Sequence, residues 1–209
     1  MNSNEIKSLA ASIKLTGEQR EILAGLLLGD GHLETQNRGR TFRLKVEHSI
    51  SQKDYTDWLY QKFQNMVLTK PQIKEQKIGS ISYQKYWFST ISTGSFRFYG
   101  QQFYVNHKKV VPNIISKLIT PLSLAVWFMD DGSLKSYLHK ARIINTQGFD
   151  DESLIRLQEM LLKKFNISAT LRNQKEGKQI YIPSTEVEKF ISIIRPHVLP
   201  SMEYKIELT

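Results

Sequence analysis

A chain of 209 residues without a cysteine excludes a disulfide framework and a thiolate zinc site, yet is long enough to bury an apolar core unaided. Its 29 lysines and arginines against 20 acidic residues give a net charge of +9, interleaved with Gln, Asn, Ser, Tyr and Trp, which points to a polyanionic partner and favours nucleic acid over a membrane surface. No apolar run approaches the ~20 residues of a membrane span, and residues 1–17 have no sustained apolar stretch, so a soluble intracellular protein without a signal peptide is expected.

In chain order, periodicity predicts a helix over residues 16–31, then a strand in TFRLKVEHS, where Phe42, Leu44 and Val46 alternate with Arg43, Lys45 and Glu47. A helix over 53–66 follows, then a strand pair within 72–92 containing YQKYWFST, and a helix over 95–105. After Lys108 and Pro112 the pattern restarts with a helix over 121–132, the strand ARIINTQ, and the helix DDESLIRLQEMLLKKF, whose first residues carry the acids that a helix N-terminus prefers. The strands ISATLRNQ and QIYIP, joined by the turn EGK, lead to a last helix, TEVEKFISII. Each half reads helix, strand, strand, helix, strand, strand, helix. The fold class is therefore α+β with antiparallel sheets, in an N-terminal repeat over 1–105, a connecting segment over 106–120 and a C-terminal repeat over 121–209. Antiparallel sheets usually leave one polar face in water. Here that face is rich in Arg, Lys, Gln, Ser, Thr and Tyr, which suits a ribbon lying in the major groove of DNA. Strand alternation proposes Arg43, Lys45, Gln84, Tyr86, Arg172 and Gln174 as DNA-contact residues.

The duplication is sharpest in LAGLLLGDG at 23–31 and LAVWFMDDG at 124–132, whose aspartates Asp30 and Asp131 lie 101 positions apart. Asp-Gly can simply end a helix, with Gly31 and Gly132 as left-handed caps. A carboxylate at a helix C-terminus is nevertheless unfavourable against the macrodipole and calls for compensation. If the two helices pack side by side about a pseudo-twofold axis, both carboxylates and several orphan carbonyls converge, an oxygen-rich set suited to Mg²⁺. Gly25 and Gly29 allow close helix approach, and Val126 and Asp130 at the matching positions predict an asymmetric interface. Magnesium beside a basic groove implies phosphodiester hydrolysis. His32, His48, His107, His139 and His197 form no close ligand pair, which argues against structural zinc.

These motifs resemble the LAGLIDADG homing endonucleases, specifically single-chain members with two motifs. The first copy departs from the family string at Leu28 and Gly29, and the second departs further, at Val126 and Asp130; alignment on the glycine pairs Asp131, not Asp130, with Asp30. VNHKKVVPN, TPLSLAVWFMDDG, INTQGF and LPSMEYK also look like stretches of an intron-encoded meganuclease of that family, extending the resemblance over residues 20–207. The resemblance implies two αββαββα halves forming a DNA-straddling saddle. It also implies a monomer that cuts both strands of a long asymmetric double-stranded site across the minor groove, with Mg²⁺ (or Mn²⁺ in its place), leaving short 3′ overhangs. Asp30 and Asp131 become metal ligands, with Gly29 and Asp130 in the metal set. Lys109 and Lys205 become the basic pair near the scissile phosphates. Glu47 and Asn145, with Gln147 behind them, become polar residues beside the metals, although Glu47 could equally sit in a surface ion pair. The alternative is a non-catalytic binder on the same fold, an intron RNA maturase or a DNA-binding regulator. An organellar origin is suggested by the resemblance and by the lack of a clear transit peptide; a bacterial or phage origin fits equally well.

Overall fold

Hydrophobic alternation with a period of two builds most of the strands, and the computed structural model, which describes residues 3–136 and 139–207, arranges them into two four-stranded antiparallel sheets and one two-stranded ribbon among the described residues. The chain groups into two units, residues 1–20 with 30–101 and residues 21–29 with 102–209. The grouping does not follow the chain strictly: the second unit takes the C-terminal part of helix α2 (Gly17–Leu28), whereas α1 (Ser3–Ser12) belongs to the first. Helix α1 has no counterpart in the sequence expectations. It is tied down by two hydroxyls, Thr93 Oγ1 donating to the Ala10 carbonyl at 2.7 Å and Ser95 Oγ to the Ile13 carbonyl at 2.5 Å.

The first unit continues with β1 (His32–Glu34), β2 (Arg43–Ser49), α3 (Lys53–Phe63), β3 (Gln72–Ile78), β4 (Ile81–Ser89) and most of α4 (Arg97–Phe103). Its sheet runs β1-β2-β4-β3. Leu44 and Val46 of β2 and Phe88 of β4 are buried on the side covered by α3, whose Tyr55, Leu59 and Phe63 are fully buried. Tyr60 meets Phe88 edge-on at 5.8 Å. The pairing Val46↔Phe88 and Glu47↔Trp87 fixes which side chains share a face.

The second unit contains the ribbon β5 (Tyr104–Val105) and β6 (Lys108–Lys109), the short α5 (Ile115–Leu118), α6 (Pro121–Asp131), β7 (Gly132–Ser136), β8 (His139–Ile144), α7 (Asp151–Phe165), β9 (Thr170–Gln174), β10 (Gly177–Ile182) and α8 (Ser184–Ile194). Its sheet runs β7-β8-β10-β9, the same order as in the first unit once the elements are matched in chain order. Asp150 caps α7 by accepting from the Ser153 amide at 2.8 Å, and Asn166, at φ 54°, ends it in the left-handed conformation. Thr120 caps α6, with Pro121 at its first turn.

Candidate functional site

The two motif helices are apolar on every side: residues 22–28 of α2 and 123–129 of α6 are all buried. Within the second unit, glycine permits their close approach. A side chain at Gly25 would come within 2.8 Å of Val126 Cβ and clash with the Ser123 carbonyl, and one at Gly29 would come within 2.5 Å of Asp130 Cβ. The expected mismatch is thus a complementary fit, small residues on one helix receiving larger ones on the other. Thr120 Oγ1 adds a hydrogen bond to Glu21 Oε2 at 2.6 Å. The Asp-Gly steps are not left-handed caps. Gly132 follows α6 in extended conformation at φ −80°, and Gly31 is absent from the residues with positive φ. Glycine is required at 132 because a side chain there would strike the Phe128 ring; α6 runs straight into β7, whereas Gly29 and Asp30 form a turn between α2 and β1.

Two lysines compensate the exposed helix ends. Lys109 Nζ donates to the Gly29 carbonyl at 2.7 Å, and Lys205 Nζ donates to the carbonyls of Met129 and Asp130, the latter at 3.0 Å. Each ammonium therefore grips the carbonyl of the residue preceding a motif aspartate, where orphan acceptors and the negative end of the dipole favour a cation. Lys109 is presented by the β5–β6 ribbon, whose two turn residues Asn106 and His107 both have positive φ (49° and 63°), the geometry of a tight two-residue hairpin. Lys205 is 9% exposed. Its segment is anchored by the buried Arg142, whose Nη2 donates to the Ile206 carbonyl at 2.6 Å; burial pulls this guanidinium below its ordinary pKa.

Lys109 and Gly29 share a cavity of about 280 Å³ with Asp131, Asn145, Thr146 and Gln147. Five of the sequence-predicted site residues, Gly29, Lys109, Asp131, Asn145 and Gln147, therefore meet in one place. Asn145 Oδ1 accepts from Gln179 Nε2 at 2.6 Å, and the Asn145 amide donates to the Asp131 carbonyl at 3.0 Å. Gly177, at φ 140°, lets the β9–β10 hairpin pass Gln147, because a side chain there would come within 2.7 Å of the Gln147 carbonyl. Carboxylate, amide and carbonyl oxygens are the hard donors that Mg²⁺ and Mn²⁺ prefer, so the donor set fits such an ion.

In the first unit Asp30 is half exposed, and its Oδ2 lies 3.9 Å from Nε2 of His48. Glu47, on the opposite side of β2 from His48, pairs with Lys74 at 2.6 Å and with Lys45 at 3.6 Å. Burial pushes its carboxyl up, but Lys74, Lys45 and Lys85 outweigh this and hold it below the usual carboxylate range. Of the two readings of Glu47, the ion pair is the one formed within this unit.

Arg43 and Lys45 lie on the open side of the first sheet, with Arg43 held by Glu34 at 2.6 Å. Arg172 and Gln174 lie on the open side of the second, with Arg172 stacked 3.3 Å from the centroid of the Tyr181 ring. Gln84 and Tyr86 do not share that placement. Their strand register puts them on the helix-facing side: Tyr86 is 8% exposed, and its hydroxyl donates to Asp57 Oδ1 at 2.9 Å. The open side of β4 carries Tyr83, Lys85 and Trp87, opposite Gln76, Lys74 and Gln72 of β3. Polarity alone places β4 one step out of phase, and the buried Phe88, two residues from Tyr86, sets the phase. His48 was passed over because its approach to Asp30 has no spacing signature.

Residues 20–190 match the family described as LAGLIDADG DNA endonuclease. The chain is 32% identical over 194 residues to the probable intron-encoded endonuclease 1 of Wickerhamomyces canadensis, covering 90% of this chain and 83% of the relative. It is 30% identical to the cytochrome b mRNA maturase bI2 of Debaryomyces hansenii, covering 92% and 74% respectively. Among solved structures, the homing endonuclease I-WcaI bound to its DNA recognition sequence superposes with a TM-score of 0.93 at 30% identity, covering all of this chain and 94% of the other.

Proposed function

Because the chain belongs to the LAGLIDADG DNA endonuclease family, we propose that it is an intron-encoded homing endonuclease acting as a monomer on a long asymmetric double-stranded site. It cuts both strands across the minor groove and leaves short 3′ overhangs. The observation that carries this reading is the cavity joining Asp131, Lys109, Asn145, Gln147 and Gly29. Residues 1–105 and 121–209 are taken as the two repeats joined by 106–120, and Asp30 and Asp131 as the carboxylates that hold the metal. A bound Mg²⁺, with Mn²⁺ as substitute, supplies water activation and charge neutralisation at phosphorus. Lys109 and Lys205 hold the helix-end carbonyls and set a positive potential beside the scissile phosphates. Asn145 and Gln147 orient hydrogen bonds at the Asp131 cavity, and Glu47 is proposed to do the same beside Asp30 while screened by Lys74. The open sheet faces, with Arg43, Lys45, Arg172 and Gln174, contact the major groove. An organellar setting is proposed on the naming of relatives as cytochrome b mRNA maturases and as a chloroplastic protein.

A cleavage screen over a randomised duplex library in Mg²⁺, repeated in Ca²⁺, tests this. The expected result is one long asymmetric site, cut in Mg²⁺ and bound without cutting in Ca²⁺. Binding without cutting in Mg²⁺ and in Mn²⁺ would instead favour the second reading, an RNA maturase, which the similarity to bI2 maturase motivates and a splicing assay would decide.

A further inference from the structure

His48 is a buried histidine whose ring is fixed from two sides. Tyr55 packs against it with centroids 5.0 Å apart, and Nδ1 lies 2.9 Å from Thr56 Oγ1. The Thr56 hydroxyl also lies 3.3 Å from the Gln52 carbonyl one helical turn back, the usual outlet for a threonine proton in a helix. With the hydroxyl donating to Gln52, its oxygen accepts from Nδ1–H, and the lone pair of the imidazole is on Nε2. Nε2 faces Asp30 Oδ2 across 3.9 Å, so two electron-pair donors converge on one gap. Metal–ligand distances of about 2.1 Å let one ion touch atoms up to roughly 4.2 Å apart. A small rotation of the exposed Asp30 side chain narrows the bite to tetrahedral or octahedral angles.

We propose that Asp30 and His48 form a mixed oxygen and nitrogen seat for a borderline divalent cation such as Ni²⁺ or Co²⁺, giving Asp30 a metal preference that Asp131 lacks. Imidazole shifts selectivity toward these ions, whereas carboxylate and carbonyl donors suit Mg²⁺ and Mn²⁺. In the second unit the residues directly after the matching strand β8 are Asn145 and Thr146, and the cavity at Asp131 is lined by no histidine. The assignment rests on the nuclease reading only in taking Asp30 as a metal ligand.

The test is calorimetric titration of the full chain, without DNA, by NiCl₂ and by MgCl₂, together with pulsed electron paramagnetic resonance of bound Mn²⁺. Ni²⁺ should bind more tightly than Mg²⁺, and Asp30→Asn and His48→Asn should each weaken Ni²⁺ binding by roughly tenfold or more. Thr56→Val, which frees the ring, should weaken it less. Nitrogen coupling on Mn²⁺ in the wild type, lost in Asp30→Asn, reports the seat even if His48→Asn fails to fold. Wild-type Mn²⁺ without nitrogen coupling, or Ni²⁺ affinity indifferent to His48, overturns the proposal. If no metal supports DNA cleavage while Ni²⁺ binding still needs Asp30 and His48, the nuclease reading fails and the seat stands.

Discussion

Asp131 lines a cavity with Lys109, Asn145 and Gln147, whereas Asp30 stands half exposed beside a buried histidine. The two carboxylates hold equivalent places in a repeated motif, and the lysines answer that equivalence, Lys109 on the Gly29 carbonyl and Lys205 on that of Asp130. The strands that follow do not: Glu47 and His48 in one copy stand where Asn145 and Thr146 stand in the other. Duplication has preserved the helix-end electrostatics and let the flanking donors diverge, as suits a protein proposed to read an asymmetric target.

The contrast can be broken most severely at the helix packing. Gly25→Val should clash with Val126 and the Ser123 carbonyl and lower stability by about 3 kcal/mol in thermal or denaturant unfolding, more than the opposite change Val126→Ala. Next in size, Lys205→Met should strand the Met129 and Asp130 carbonyls and cost about 2 kcal/mol, read by the same unfolding measurement. The two sides of β4 can be separated by DNA affinity. Trp87→Ala should weaken duplex binding through lost apolar contact with base edges in the groove. Tyr86→Phe, which removes only the hydroxyl on Asp57, should leave binding unchanged and cost about 1 kcal/mol of stability. The smallest effect concerns pH. The Glu47 carboxyl is held below its unfolded value, so its contribution to stability is complete above that value and fades as pH falls through the lower folded one. Glu47→Gln should therefore flatten the acid limb of a stability-versus-pH curve while leaving its neutral-to-basic shape unaltered.

Much of this was legible in the sequence because local rules agree with tertiary packing. The apolar motif helices, the alternation of Phe42, Leu44 and Val46, and the acid-led helix at Asp151–Phe165 appear where periodicity places them. The exceptions have physical causes. The strands β1 and β7 follow Asp-Gly steps that read as stops; at β7, close packing against Phe128 demands glycine for want of space and the chain continues extended. The phase of β4 was lost because Tyr86 is amphipathic: its ring is buried while its hydroxyl reaches Asp57, so polarity alone does not say which way it faces. The approach of His48 to Asp30 is a tertiary coincidence of a residue of β2 and one in the turn after α2, 18 positions apart, with no periodicity to reveal it.

Strand-resolved, single-turnover cleavage of an end-labelled asymmetric target, with Asp30→Asn and Asp131→Asn compared in Mg²⁺ and their DNA affinity measured in Ca²⁺, tests most directly whether the paired motif aspartates carry the chemistry. Each substitution is expected to lower cutting by on the order of a thousandfold, a cost of about 4 kcal/mol, while binding in Ca²⁺ survives. Undiminished cleavage of both strands by both variants would contradict it.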